Sequence, residues 1–167
     1  MFNLLRNNGF RWNHKRVYRV YCDLRLNLRV KPKKRLPSRE SRCLIQPLQP
    51  NICWSIDFMS DALTRGCRFR TFNVIDDYNR ECLKIKVAIS IPATRVAACL
   101  DSIALTRGYP FEIRIDNGPE FISNTFKSWA KEHKVNLHFI EPGKPAQNGF
   151  IERFNRTYRE EILDLYL

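Results

Sequence analysis

Three acids in this chain stand where a carboxylate has a chemical use as well as a structural one. Asp57 lies in "NICWSIDFM", where Trp54, Ile56 and Phe58 alternate with Cys53, Ser55 and Asp57, so a strand turns the carboxylate away from the apolar face. Asp116 closes the alternation of "FEIRI" just before Asn117 and Gly118, the strongest turn dipeptide in the chain. Glu152 falls in the first turn of a last helical pattern, "FIERFNRTYREEILDLYL". The chemistry that needs all three is phosphoryl transfer on nucleic acid. Two Mg²⁺ ions about 3.5 to 4 Å apart, held by carboxylates from different elements, activate an attacking oxygen and stabilise the leaving one.

Each acid also has a structural reading. Asp57 can bond a neighbouring strand or helix end, Asp116 can serve only as a turn residue, and Glu152 can simply offset a helix dipole. At ~100° per residue, Glu152, Asn155, Arg156 and Arg159 fall at i, i+3, i+4 and i+7, clear of the apolar stripe. Such a face can hold a cation and contact phosphates; its alternative is a solvated face with Glu152 and Arg156 as an ordinary ion pair.

The elements that must position these residues follow from periodicity. Strand patterns run through "NICWSIDFM", "RFRTFNVID" and "CLKIKVAIS", the last with Leu83, Ile85, Val87 and Ile89 on one face, and short turns make the three an antiparallel meander. "PATRVAACLDSIALTRG" is helical through Val96, Leu100, Ile103 and Ala104 and stops at Gly108. After "FEIRI", Pro119 opens one helix toward His133 with Ile122, Phe126, Trp129 and Ala130 inward; "VNLHFI" is a fifth strand. The prolines and glycines of "EPGKPAQNG" predict an irregular loop, and the last helix starts at Asn148 or Gly149 with Ile151, Phe154, Tyr158, Ile162 and Leu165 as its apolar stripe. The order β-β-β-α-β-α-β-α predicts an α/β fold with a mixed sheet and packed helices.

Charge divides the chain. Residues 1–50 hold 13 Lys and Arg against two acids, while residues 51–167 hold 16 against 15. A basic arm beside a near-neutral domain suits a polyanion, above all nucleic acid, although a solvated basic linker has the same composition. Within the arm, Asn13 caps a short basic helix with Val17, Val20, Tyr21 and Leu24 at helical spacing and Lys15, Arg16 and Arg19 on other faces. Pro32 and Pro37 end that pattern, giving three predicted parts: a helical segment over 1–31, a basic linker over 32–50 and a main domain over 51–167. Six cysteines without a CxxC pair predict reduced thiols, and no apolar run approaches the ~20 residues that span a bilayer. His14, His133 and His138 are read as surface or packing residues, and the three Trp as core or packing.

Asp116 and Glu152 are separated by 35 residues, and with Asp57 upstream they match the D,D(35)E pattern of retroviral integrases and bacterial insertion-sequence transposases. "WSIDFMSDAL", "RFRTFNVIDDYNRE", "IRIDNGPEFIS" and "IEPGKPAQNGFIERFNRTYREEILDLYL" resemble the second-reading-frame transposase of integrase-like insertion sequences, over about residues 10 to 167. The resemblance implies a ribonuclease H-like fold, a five-stranded mixed sheet flanked by helices, preceded by a partial helix-turn-helix over residues 11–30. It implies Asp57, Asp116 and Glu152 as the catalytic, metal-binding acids for two Mg²⁺ or Mn²⁺ ions. It implies water attack that frees a 3′-hydroxyl at an element end, then attack by that hydroxyl on target DNA. Asn117, Lys144, Asn155, Arg156 and Arg159 are the implied DNA-contacting or site-shaping residues, with Lys15, Arg16 and Arg19 on the basic helix.

The implied partners are transposon ends and a target duplex, with homo-oligomers of the full-length protein and no membrane. The implied location is the bacterial cytoplasm, at the nucleoid when DNA-bound. Relative to the family pattern the chain is expected to be clipped at both ends. Two other readings therefore stay open, a catalytically inactive DNA-binding remnant and a structure-selective nuclease on the same fold.

Overall fold

Ten residues from Cys53 to Ala62 form the central strand because apolar and polar side chains alternate along them, leaving Trp54 and Ile56 fully buried on one face. The structure, a computed structural model, describes residues 1–27, 44–141 and 145–166. Contacts divide the chain into Met1–Ser41 and Arg42–Leu167. The stretch expected as a basic linker falls largely outside the described residues.

In the larger unit, β1 (Cys53–Ala62) pairs antiparallel with β2 (Arg68–Asp76), and β2 with β3 (Cys82–Ala88). On its other side β1 pairs parallel with β4 (Glu112–Ile115), which pairs parallel with β5 (Asn136–Phe139). The five-stranded sheet thus has the order β3-β2-β1-β4-β5. Helix α3 (Ala93–Arg107) makes the crossover to β4, and α4 (Pro119–Ile122) and α5 (Asn124–Glu132) the crossover to β5. Their apolar side chains Val96, Leu100, Ile103, Phe121, Phe126 and Trp129 pack with Trp54, Ile56, Phe72, Val74, Ile113 and Ile115 in one core.

The opposite sheet face carries Ser55, Asp57, Asn73 and Arg114 beside the buried Met59 and Ile75, and helix α6 (Gly149–Tyr158) packs on its β1 and β2 strands. Toward the start of β1 it holds a buried ion pair, Arg114 Nη1 to Asp77 Oδ2 at 2.7 Å, with the Cys53 thiol 3.3 Å from the same oxygen. Burial raises both the Asp77 and Cys53 pKa values.

Four local expectations change. The helix predicted from Pro119 to His133 breaks at Ser123, whose backbone is extended and whose Oγ accepts from Phe126 N; Ile122, expected inward, is 44% exposed. The register of β2 against β3 shifts at Val74 and Ile75, so Ile85 and Val87 lie opposite Asn73 and Thr71, away from the main core; Leu83 and Ala88 pack against that core instead. The loop expected to be irregular contains a 3₁₀ turn at Pro145–Asn148. Finally, α6 passes into a π-helical segment, Arg159–Leu163, before α7 (Asp164–Tyr166). The wider turn rotates the following face, so Leu163 is buried and Ile162, predicted in the stripe, is exposed.

The smaller unit holds α1 (Phe2–Asn7), which the periodicity did not predict, and α2 (His14–Asp23). Asn13 Oδ1 accepts from Lys15 N at 2.8 Å, the expected cap, and only Val17 of α2 is buried. Trp54 and Trp129 are buried, whereas Trp12 is exposed and stacks on Phe10. The described cysteines are free thiols, and Cys43 lies outside the described residues. Among the described residues no helix is long and apolar enough to cross a membrane.

The π-turn register has a direct check in urea denaturation. Leu163→Ala is expected to cost about 2 to 4 kcal/mol, and Ile162→Ser less than about 0.5 kcal/mol. The reverse ranking would restore an unbroken α-helical stripe.

Candidate active site

Parallel pairing sets the first two acids side by side. Ser55 pairs with Arg114, and two residues further along each strand come Asp57 and Asp116, at matching heights on the polar face. Asp57 Oδ1 accepts from Phe58 N at 2.8 Å and Oδ2 from Asn155 Nδ2 at 2.8 Å. Asp116 sits past the carboxyl end of β4, and its Oδ1 accepts from Gly118 N at 3.0 Å. A Cβ at Gly118 would lie 3.0 Å from that oxygen and 3.4 Å from the Phe121 ring, so a side chain there would crowd the Asp116 carboxylate. Asn117 Nδ2 donates to Ile140 O at 3.1 Å, tying the turn to the end of β5.

Glu152 is exposed in the first turn of α6. It lines an open cleft of about 480 Å³ with Gly149, Arg153, Arg156 and Thr157. The face expected to carry Glu152, Asn155, Arg156 and Arg159 together is divided. Glu152 and Arg156 look outward, whereas Asn155 and Arg159 turn to the sheet. Arg159 Nη1 donates to Asp61 Oδ2 at 2.8 Å and Nη2 to Ser60 O at 3.2 Å. The division has a physical cause: the strand beneath the helix presents Asp57 and Asp61, and the helix positions facing them must be polar to meet them.

Burial pushes the Asp57 pKa up to about 6; the Phe58 and Asn155 hydrogen bonds oppose that shift, and the charges of Asp116 and Glu152 add to it. Both acids are therefore near enough to act on Asp57. Among the described residues no three His, Cys, Asp or Glu side chains close tightly enough to cage an ion by themselves. A hydrated divalent cation needs few protein ligands, because it keeps waters and takes phosphate oxygens.

Several neighbours had no signal in the periodicity. Arg153 shares the cleft with Glu152 and Arg156, and helical geometry alone would have found it once the outward face was known. Asn73 Nδ2 donates to Asn155 Oδ1 at 2.7 Å, a contact between residues 82 apart. Arg70 pairs with Glu120 and lies 4.3 Å over the Phe58 ring, bracing the Asp116 turn from β2. Lys15, Arg16 and Arg19 are exposed on α2, and Lys144 lies outside the described residues.

Residues 47–145 match the integrase core domain family, and residues 133–167 match a second integrase core domain model, so the chain belongs to the integrase core family. Proteins of insertion elements are among its relatives. A 39.2 kDa protein of insertion element IS476 from Xanthomonas euvesicatoria is 40% identical over 98% of this chain and 47% of its own length. A 31.7 kDa protein of IS407 from Burkholderia multivorans is 42% identical over 96% of this chain and 58% of its own. The chain thus spans about half the length of these relatives. The HTLV-2 integrase catalytic core domain in complex with magnesium, in a dimeric form, superposes with a TM-score of 0.55 at 18% identity, over 70% of this chain and 76% of that one. The fold is the ribonuclease H-like fold, as the resemblance implied.

The Asp57 shift fixes the sign of a pH effect in metal-free protein. Because the folded pKa (about 6) lies above the unfolded value (~3.9), ionisation of Asp57 opposes folding, and its stability contribution is lost as pH rises from about 4 through about 6. Urea denaturation in chelator should show the stability of Asp57→Asn gaining on the parent chain by about 2 to 3 kcal/mol between pH 4 and pH 7. A gap that stays constant with pH would contradict the assignment.

Proposed function

We propose that this chain carries the phosphoryl-transfer centre of an insertion-sequence transposase, with Asp57, Asp116 and Glu152 as its metal-binding acids. The observation that carries this reading is the half-buried Asp57 carboxylate acted on by two further acids, one just past β4 and one on α6, within a chain of the integrase core family. The magnesium complex of the structurally similar viral core supports divalent-ion use, and its dimeric form supports oligomeric assembly. Asp57, Asp116 and Glu152 would hold the cation, which when bound supplies activation of an attacking oxygen and offsets charge on the leaving one.

The chain's own residues do the positioning. Phe58 N–H and Asn155 hold Asp57, Gly118 N–H holds Asp116, and the Asn117 tie to Ile140 steadies the turn between them. Arg153 and Arg156 flank Glu152 in the open cleft, where their guanidinium groups can meet the phosphates beside a scissile bond. Arg159, held on Asp61, acts in this reading as a clamp for the helix, while the exposed Lys15, Arg16 and Arg19 bind backbone phosphates elsewhere on the DNA. The substrates are the element's ends and a target duplex.

Nicking and strand transfer on labelled element ends in Mg²⁺ or Mn²⁺ test the proposal. Glu152→Gln and Asp116→Asn are each expected to lower turnover at least about a hundredfold, beyond what loss of an outer-shell partner costs. Turnover unchanged by Glu152→Gln would sink the acid assignment. DNA affinity is separately expected to fall steeply between about 50 and 200 mM salt, and to survive both substitutions.

A further inference from the structure

We propose that Asn73 is a positioning residue for Asp57: through Asn155 it fixes the donor that one Asp57 oxygen receives, and so which lone pairs remain for a cation. This rests on the metal-binding reading above. Asn73 lies on β2 directly opposite Asp57 in the antiparallel register, fully buried on the face beneath α6. Its Nδ2 is 2.7 Å from Asn155 Oδ1, and Asn155 Nδ2 is 2.8 Å from Asp57 Oδ2.

The polarity of this relay is forced by chemistry. An ionised carboxylate only accepts, so Asn155 must turn its NH₂ to Asp57 and its carbonyl to β2. That carbonyl is buried and needs a donor, and Asn73 supplies one. With an apolar residue at 73 the carbonyl would lose its partner. With an acceptor there, the Asn155 amide would be drawn round, setting carbonyl oxygen against carboxylate oxygen.

Packing does not account for the residue. Asn is poor in strands, and Asn73 Oδ1 has no hydrogen-bond partner among the described residues, an orphan acceptor that Val or Thr would avoid. What the orphan secures is direction: the Asn73 donor is aimed at Asn155 and the Asn155 donor at Asp57. With Phe58 N–H on Oδ1 and Asn155 on Oδ2, each carboxylate oxygen has one fixed donor and keeps a lone pair for metal.

Two measurements on the full chain test this. The first is calorimetric titration with Mn²⁺ of the parent chain and Asn73→Val, each checked for cooperative folding in chelator. Asn73→Val is expected to bind Mn²⁺ about tenfold more weakly, through a misdirected Asn155, at the lower end of the loss that follows removal of a hydrogen-bond partner of a metal ligand. Parent-like affinity in folded Asn73→Val would overturn the proposal even if stability changes. The second is hydrogen exchange of side-chain amides by NMR in the unaltered chain, which decides the relay should Asn73→Val not fold. Protected Asn73 and Asn155 NH₂ groups support it, and an Asn73 NH₂ exchanging like a surface amide overturns it. A parent chain that binds no Mn²⁺ defeats the metal reading instead, and leaves the exchange result to decide the relay.

Discussion

The hydrogen bond from Asn155 to Asp57 joins residues 98 apart, and the arrangement of the site depends on it. Helix α6 lies across the sheet face that carries Asp57 and Asn73, so polar ties accompany its apolar packing there. Ile151 and Leu163 are buried along the helical segment, but the direct ties to β1 are polar: Asn155 to Asp57, and Arg159 to Asp61. Hydrogen bonds are directional where apolar contacts are not. Two such ties along one helix define its rotation as well as its position. Rotation matters because it decides that Glu152, Arg153 and Arg156 open outward into the cleft. The other sheet face has the opposite character. Trp54, Phe72, Phe121, Phe126 and Trp129 interlock there in a close-packed core that gives the strands a fixed platform.

Asp57 connects folding to ligand binding. Burial and two neighbouring acids make its ionised form costly, and the donors from Phe58 and Asn155 relieve only part of that cost. A cation bound by the folded chain would relieve the rest, because whatever binds the folded state alone stabilises it by mass action. The cost of the metal-free carboxylate and the proposed affinity for divalent ions would thus be two consequences of one electrostatic arrangement. Asp77 differs in its surroundings, because Arg114 Nη1 already stands 2.7 Å from its Oδ2 as a resident cation.

The larger features were legible because they rest on local pattern. Alternation around Trp54 and Ile56 gave β1 and the outward turn of Asp57. The Asn117-Gly118 turn ended β4, and the five strands appeared in the predicted chain order. What escaped was set by pairing between distant segments. The β2–β3 register shift moves Ile85 and Val87 to the polar side of the sheet, although their own sequence alternates as an ordinary strand. The break at Ser123 needs its side chain to cap α5, and a continuous helix through Ser123 has an equally good apolar count. The π turn changes Leu163 for Ile162, and no periodicity in "REEIL" announces it. Asn73 was invisible for the same reason: its meaning comes from Asn155, 82 residues away.

The interval of 35 residues between Asp116 and Glu152 becomes intelligible in the same terms. From Asp116 the chain must leave the sheet through α4 and α5, return along β5, and reach α6. Because β5 runs parallel to β4, that return brings it to the edge of the sheet where Asp116 stands, and Asn117 bonds Ile140 just where β5 ends. One helical crossover and one strand therefore return the chain to the level of Asp116, and α6 follows after a short connection. Parallel pairing of β4 with β1 had already brought Asp57 to the same height. The spacing records the length of one crossover in a parallel sheet, and parallel strand order is the constraint that makes three acids distant in sequence neighbours in space.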